Sequence, residues 1–257
     1  WLNIFGLIFG LPFIAFAGPI VSFPYLFLAF FLGLIDSLGT LFYFRGLEVG
    51  NASLVGTISG SFSVITILLS MALFGEKVTL IQLSGIILVL IGIILTSFKF
   101  EETHAKTLQN FISDRGIIYA LIAMVSWGIY FALVRIPAEK IGWFWSYYPV
   151  NFIGFLLIPL GLIKRNVLQI FHRRAIFINT VLFSFLITGS MFAYNLGILR
   201  GYTSIVAPIA GAYPVLFVIL TRIFFKERLS FQQKIGLGLG LLGIVVISFS
   251  SISTPLG

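Results

Sequence analysis

Residues 43–98 read YFRGLEVGNASLVGTISGSFSVITILLSMALFGEKVTLIQLSGIILVLIGIILTSF, and residues 194–249 read YNLGILRGYTSIVAPIAGAYPVLFVILTRIFFKERLSFQQKIGLGLGLLGIVVISF. Superposed at an offset of 151 without a gap, the two stretches agree at 19 of 56 positions. A composition rich in Leu, Ile, Phe and Gly would give about 4 to 6 matches by chance. Among the matches, Tyr43, Gly46, Gly50, Ser53, Gly60, Glu76, Gln82, Gly85 and Gly92 recur as Tyr194, Gly197, Gly201, Ser204, Gly211, Glu227, Gln233, Gly236 and Gly243. The chain is an internal duplication, and function is to be sought between the copies.

Around this stretch the composition is that of a membrane protein. Of 257 residues 59% are hydrophobic and only 9% charged, against about 25% charged in an average soluble domain. Apolar runs recur along the whole chain, each long enough to cross roughly 30 Å of hydrocarbon as a helix. They lack the polar–apolar alternation of a transmembrane β-strand, so helices are expected. There is no cysteine, which excludes disulfides and thiolate metal sites. The net charge of +8 sits in short loops between apolar spans, the pattern of membrane topology rather than of a nucleic-acid surface.

Nine spans follow from the hydropathy: Leu2–Ala17, Tyr25–Phe44, Ser53–Phe74, Thr79–Phe98, Arg115–Ile136, Trp143–Ile163, Ala175–Leu199, Ser204–Phe225 and Phe231–Ser250. Gly18-Pro19 and Phe23-Pro24 favour a turn after the first. The charged connection 99–114 separates a first repeat, 1–98, from a second, 115–250. Arg115–Ile136 precedes the second copy, and its counterpart would lie before Trp1. The expectation is a chain lacking its first helix, with ten spans in full as five plus five. An odd number per repeat inverts the second copy in the membrane, an architecture recurrent in secondary transporters.

Polar residues at helical spacing mark the faces that avoid lipid. The stripes are Gly33, Asp36, Ser37, Thr40, Tyr43; Ser59, Ser63, Thr66, Ser70; Tyr119, Ser126, Tyr130; and Thr180, Ser184, Thr188, Asn195. Ser204–Phe225 carries Pro208, Tyr213 and Pro214 in its first half, where proline frees backbone carbonyls. These spans are expected to line a cavity and the others to pack outside them. The ordinary alternative is that the hydroxyls bond their own helix or join neighbouring helices. Trp127, Tyr130, Tyr194, Asn195 and Tyr213 are candidates for a pocket wall. Trp143, Trp145, Tyr147 and Tyr148 are expected to form an aromatic belt at the lipid–water boundary.

Asp36 is the only acidic residue in the middle of a span. Its candidate roles are proton coupling or contact with a cationic substrate group, set against a protonated carboxyl bonded locally. Gly238, Gly240 and Gly243 match a dinucleotide fingerprint in spacing, but they sit inside an apolar span without a preceding strand, so close helix packing is the reading. Glu76 and Glu227, beside Lys77 and Arg228, are expected to cap the following helix or pair locally. His104 and His172 have no metal-like spacing. No metal or cofactor enters this reading.

Trp127-Gly128 and the loops Gly75-Glu76-Lys77 and Lys226-Glu227-Arg228, each followed by a Gln and a Gly-rich helix, resemble the EamA family of the drug/metabolite transporter superfamily. The resemblance implies two inverted five-helix repeats, with helices 1, 3, 4, 6, 8 and 9 around a central substrate cavity. On this reading the chain is an all-α, multi-pass protein of the cell membrane, a monomer or weak homodimer, moving a small metabolite or drug-like solute by alternating access. A proton gradient is the candidate driving force. A facilitative exchanger or lipid-linked substrate flippase on the same scaffold, and a membrane-embedded enzyme or scaffold subunit, are the alternatives. The basic residues place loops 3–4, 5–6, 7–8 and 9–10, with 12 Lys and Arg against 4 opposite, in the cytoplasm, whereas the family resemblance implies the reverse.

Overall fold

The computed structural model describes residues 1–19, 22–50, 52–97, 115–156, 173–213, 215, 219, 223 and 230–253. Among them every regular element is helical. The first half supplies α1 (Leu2–Gly10), a 3₁₀ turn over Leu11–Phe16, α2 (Phe23–Val49), α3 (Ala52–Gly60), α4 (Phe62–Phe74) and α5 (Leu80–Ser97). The second half supplies α6 (Arg115–Leu133), α7 (Arg135–Trp145), a 3₁₀ turn over Tyr148–Phe152, α8 (Arg174–Arg200), α9 (Thr203–Gly211) and α10 (Phe231–Ser253). Phe23–Val49, Arg115–Leu133, Arg174–Arg200 and Phe231–Phe249 are long and apolar enough to cross a membrane. Phe23, Phe27 and Phe31 stack along one face of α2 at 66%, 64% and 62% exposure. Such a stripe suits lipid rather than water.

Several of the expected spans depart from single straight helices. Residues 53–74 break at Ser61, whose φ of −77° and ψ of 11° lie outside the α region. Its equivalent in the second copy, Ala212, has φ −76° and ψ 9°. The hydrogen bonds around the two breaks repeat as well: Ser61 N donates to Ile58 O at 3.2 Å and Ala212 N to Ile209 O at 3.3 Å. Val64 N then donates to Ser61 O, and Val215 N to Ala212 O, both at 3.0 Å. The span expected to begin at Trp143 also differs. α7 already runs through residues 137–142 and kinks at Gly142, whose φ of +82° suits glycine. A 3₁₀ turn then opens next to Pro149, which has no N–H to continue an α-ladder.

The chain groups into two compact units, Trp1–Ser37 with Leu133–Arg200 and Leu38–Ala132 with Gly201–Gly257. Each draws on both sequence repeats. In the first unit α1 packs on α8 and on the Tyr148–Phe152 turn, and α7 packs on α8. The core there is aromatic: Phe144, Tyr147, Tyr148, Val150, Ile153 and Phe192, flanked by Trp143 and Trp145. The expected aromatic belt is therefore largely a buried cluster, with Tyr147 at 4% and Tyr148 at 6% exposure. Phe144 stacks on Tyr148 and on Phe192, with ring centroids at 4.7 and 5.3 Å.

In the second unit α5 and α10 form the tightest pair, around an aliphatic core of Ile67, Ile86, Val89, Ile93, Ile205 and Ile247. Glycine lets their backbones touch. A methyl group at Gly92 would stand 2.6 Å from Gly240 Cα and 2.8 Å from Gly236 O. One at Gly243 would stand 2.7 Å from Gly85 O. Gly85 faces Gly243 and Gly92 faces Gly236, so the two helices run in opposite directions. Because Gly85 corresponds to Gly236 and Gly92 to Gly243, the pairing is self-complementary, as expected about a two-fold axis. Both helices also begin with the same capping box. Thr79 N donates to Gln82 Oε1 at 2.9 Å and Ser230 N to Gln233 Oε1 at 3.0 Å, with the reciprocal Gln N to hydroxyl bonds at 3.2 Å each. This accounts for the repeated glutamine of the sequence.

Candidate functional site

The polar stripes face protein. Ser59, Ser63, Thr66 and Ser70 are fully buried, and Ser126, Tyr130, Ser184, Thr188 and Asn195 are at most 6% exposed. Burial alone does not make a binding wall, because most of these hydroxyls satisfy themselves. Ser59 donates to Val55 O at 2.7 Å and Ser70 to Thr66 O at 2.7 Å. Thr66 reaches both Phe62 O at 3.3 Å and Gly128 O at 3.2 Å, tying α4 to α6. Ser184 donates to Thr180 O at 2.7 Å. The exceptions are Ser63, Thr188, Thr203 and Ser204, whose buried hydroxyls meet no partner.

Ser63 lies where the two broken helices of the second unit cross. A methyl at Gly211 would stand 2.8 Å from its Oγ, and one at Gly60 would stand 3.0 Å from the Tyr213 hydroxyl. The glycines just before each break thus let the first turn after the other break approach. Aromatic rings gather beside the crossing. Tyr43 and Phe62 hold Trp127 at centroid distances of 5.3 and 6.2 Å, and Tyr43 lies within electrostatic reach of Tyr213. Trp127 itself seats on Gly39, where a methyl would stand 2.8 Å from its ring. Tyr130, 1% exposed, packs edge-on to Phe131 at 5.1 Å. Pro208 is buried inside α9 and cannot donate to the Ser204 carbonyl. Thr40 is half-buried on the same α2 stripe as Tyr43. Pro214 lies outside the described residues.

Glu76 holds this crossing from one end. Its Oε1 and Oε2 accept from the backbone N–H groups of Thr203 and Ser204 at 2.7 and 2.8 Å. It was expected to cap the helix that follows it or to pair locally. Instead, 5% exposed, it caps α9 in the other repeat, and Thr79 and Gln82 cap α5. The α9 N-terminus presents free N–H donors and a partial positive charge, and a carboxylate answers both. Glu227, its duplicate, lies outside the described residues.

The first unit holds a second polar group. The Tyr147 hydroxyl lies beside the Thr188 and Asn151 side chains and within electrostatic reach of Asp36. Asn195 donates through Nδ2 to Trp143 O at 3.1 Å and to Ser146 Oγ at 2.8 Å. Its amide therefore binds α8 to the C-terminal end of α7 and the residue that follows it. Asp36 is half-buried. The sequence reading assigned Tyr147 to the aromatic belt and passed over Asn151. The available signal was Asn151 itself, an amide in a span otherwise read as aliphatic and aromatic.

Apolar helices of membrane-crossing length, an exposed apolar skin and polar groups turned inward define an all-α polytopic membrane protein. The chain belongs to the EamA-like transporter family, which matches residues 1–98 and 114–249. It is a membrane transporter by that membership. An "Uncharacterized transporter" of Archaeoglobus fulgidus is 26% identical over 216 residues, 82% of this chain and 71% of that protein. An uncharacterized protein of Methanocaldococcus jannaschii is 29% identical over 138 residues, 54% of this chain and 99% of its own length. That relative is thus matched whole by about half of this chain. A solved crystal structure superposes with a TM-score of 0.69 at 16% identity, covering 98% of this chain and 86% of the other, which establishes a shared fold.

Proposed function

We propose that the protein is a secondary transporter of the cell membrane that moves a small metabolite or drug-like solute by alternating access. We take its scaffold to be two inverted five-helix repeats. The observation that carries this reading is the pair of matched helix breaks at Ser61 and Ala212, which meet across Gly60 and Gly211. Discontinuous helices at a repeat interface are where secondary transporters bind substrate, because a broken helix leaves backbone groups free at membrane depth. The unpartnered Ser63 hydroxyl beside the break is a polar group at that depth with its hydrogen-bonding capacity unused.

In this reading the aromatic group Tyr43, Trp127 and Tyr213 forms the solute wall, with Ser63 supplying a hydrogen bond and Thr40 lying along the same face. Ser59 and Tyr130 support the wall from behind, since the Ser59 hydroxyl already bonds Val55 O and Tyr130 is buried. Pro208 keeps α9 from closing a complete ladder. Asp36, Thr188 and Asn195 belong to the first unit, where Asp36 is the carboxylate able to carry a coupling proton or cation.

The test is flux into sealed vesicles by the purified protein alone, using solutes chosen by thermal-shift screening of a metabolite library. Saturable uptake is expected. Trp127→Ala and Tyr213→Phe should each raise the half-saturation concentration about tenfold, the effect of one contact worth about 1.4 kcal/mol. Flux no greater than in protein-free vesicles for every hit overturns the reading. Chemical turnover of a hit in detergent, where no gradient exists, would mark an enzyme instead.

A further inference from the structure

Asp36 is not part of the solute wall, yet a carboxylate at bilayer depth is costly and is usually paired, protonated or functional. Its surroundings in the first unit are specific. Gly33, one turn earlier on the same face of α2, seats on Val150, where a methyl would stand 2.7 Å from the side chain. This contact turns the Asp36 face of α2 toward the segment Tyr147–Asn151. Tyr147, 4% exposed, has Asp36 within electrostatic reach and Thr188 and Asn151 beside its hydroxyl.

Asn151 Oδ1 and Thr188 Oγ1 lie close together beside Gly6 of α1. A methyl at Gly6 would collide with the first and stand 3.3 Å from the second. Thr188 is 2% exposed. Although its hydroxyl neighbours Tyr147, it meets no partner at hydrogen-bonding distance and angle. No cationic side chain among the described residues acts on Asp36. On the elements packed around the cluster, α1 carries no charged side chain. Arg135 and Glu139 of α7 bond each other at 2.6 Å, and Lys140 is exposed. Arg174 and Arg200 are exposed at the two ends of α8. The cluster therefore offers five side-chain oxygens, two of them on one carboxylate, which supplies one negative charge when ionised. A single charge suits a monovalent ion rather than a divalent one, and oxygen ligands suit a hard alkali cation.

We propose that Asp36, Tyr147, Asn151 and Thr188 form a binding site for one sodium ion, whose occupancy is coupled to solute movement. The coupling rests on the transport reading above; the site does not. The experiment follows the intrinsic fluorescence of the purified full chain, in which Trp143 and Trp145 flank this core, as sodium chloride replaces choline chloride at constant ionic strength and pH.

A saturating response to sodium and none to choline is expected. Asp36→Asn should shift half-saturation more than tenfold. Thr188→Val, which removes only the hydroxyl, should shift it several-fold, and Thr188→Ser should restore it. If Asp36→Asn does not fold, Thr188→Val carries the test. The site is overturned by an equal response in choline, by variants that titrate like the native protein, or by a response to pH without one to sodium. Sodium titration without solute flux under any gradient leaves the site standing and removes the transport reading. Flux by a protein that does not titrate sodium removes the site and leaves transport.

Discussion

Replacing Glu76 with Ala lowers the stability of the protein by about 2–4 kcal/mol, because two buried N–H donors of α9 lose their acceptors at once and each orphaned donor costs about 1–3 kcal/mol. The geometry supports an effect at the upper end for a loop residue. Both carboxylate oxygens are engaged, at 2.7 and 2.8 Å, the side chain is 5% exposed, and the donors lie in the first turn of a helix, where the macrodipole strengthens the interaction. Glu76→Gln recovers only part of the loss, because one oxygen becomes an NH₂ group facing a backbone donor. Lys77→Ala, next in sequence but exposed, should stay within about 0.5 kcal/mol of the native protein. Thermal unfolding in detergent reads all three. A Glu76→Ala protein that melts with the native one would show that the cap contributes nothing. The contact joins residues 127 positions apart and from different repeats, so its loss should also loosen the helix crossing at Gly60 and Gly211.

The second large effect separates two glycines of similar sequence context. Gly92→Ala should destabilise by about 2–3 kcal/mol, at the upper range for overpacking, because the added methyl meets Gly240 Cα at 2.6 Å. Backbone cannot rotate away as a side chain can, so α5 and α10 must separate along their length. Gly92→Leu should prevent folding. Gly238 lies on α10 between Gly236 and Gly240, but a methyl there meets nothing within 4 Å. Gly238→Ala should be neutral or stabilise by up to about 1 kcal/mol, the intrinsic helix preference of Ala over Gly. If both variants melt alike, the close approach of the two helices is not what holds the pair.

The sequence made the faces legible but not their partners. Helical periodicity alone turned Ser59, Ser63, Thr66 and Ser70 inward, and the fold buries all four. The repeated glycines of α5 and α10 announced close packing, while their antiparallel register required coordinates. The break at Ser61 was hidden, since Gly60-Ser61-Phe62 carries no proline, and only the second copy, with Pro208 and Pro214, signalled a disturbed helix. The target of Glu76 was hidden because a cap across 127 positions leaves no local pattern. Trp143, Trp145, Tyr147 and Tyr148 were misplaced because an aromatic run suits both a lipid boundary and a buried core, and the kink at Gly142 decided between them. Which hydroxyls remain unpartnered is likewise a tertiary property: Ser59 and Ser63 look alike in sequence, yet only Ser63 meets no acceptor.

The central claim is that the crossing of the broken helices lies on the path of the solute. The chain has no native cysteine, so a single Ser63→Cys substitution reports on it directly. Ser63 is fully buried, whereas Leu68 on the same helix is 62% exposed on the apolar surface. A water-soluble thiol reagent applied to the reconstituted protein should modify Ser63→Cys as the path opens, leave Leu68→Cys in the lipid unmodified, and be slowed at Ser63→Cys by a transported solute. Contradiction would be a Ser63→Cys that stays unreactive from both sides during active flux, because solute would then be crossing without the helix breaks ever meeting water.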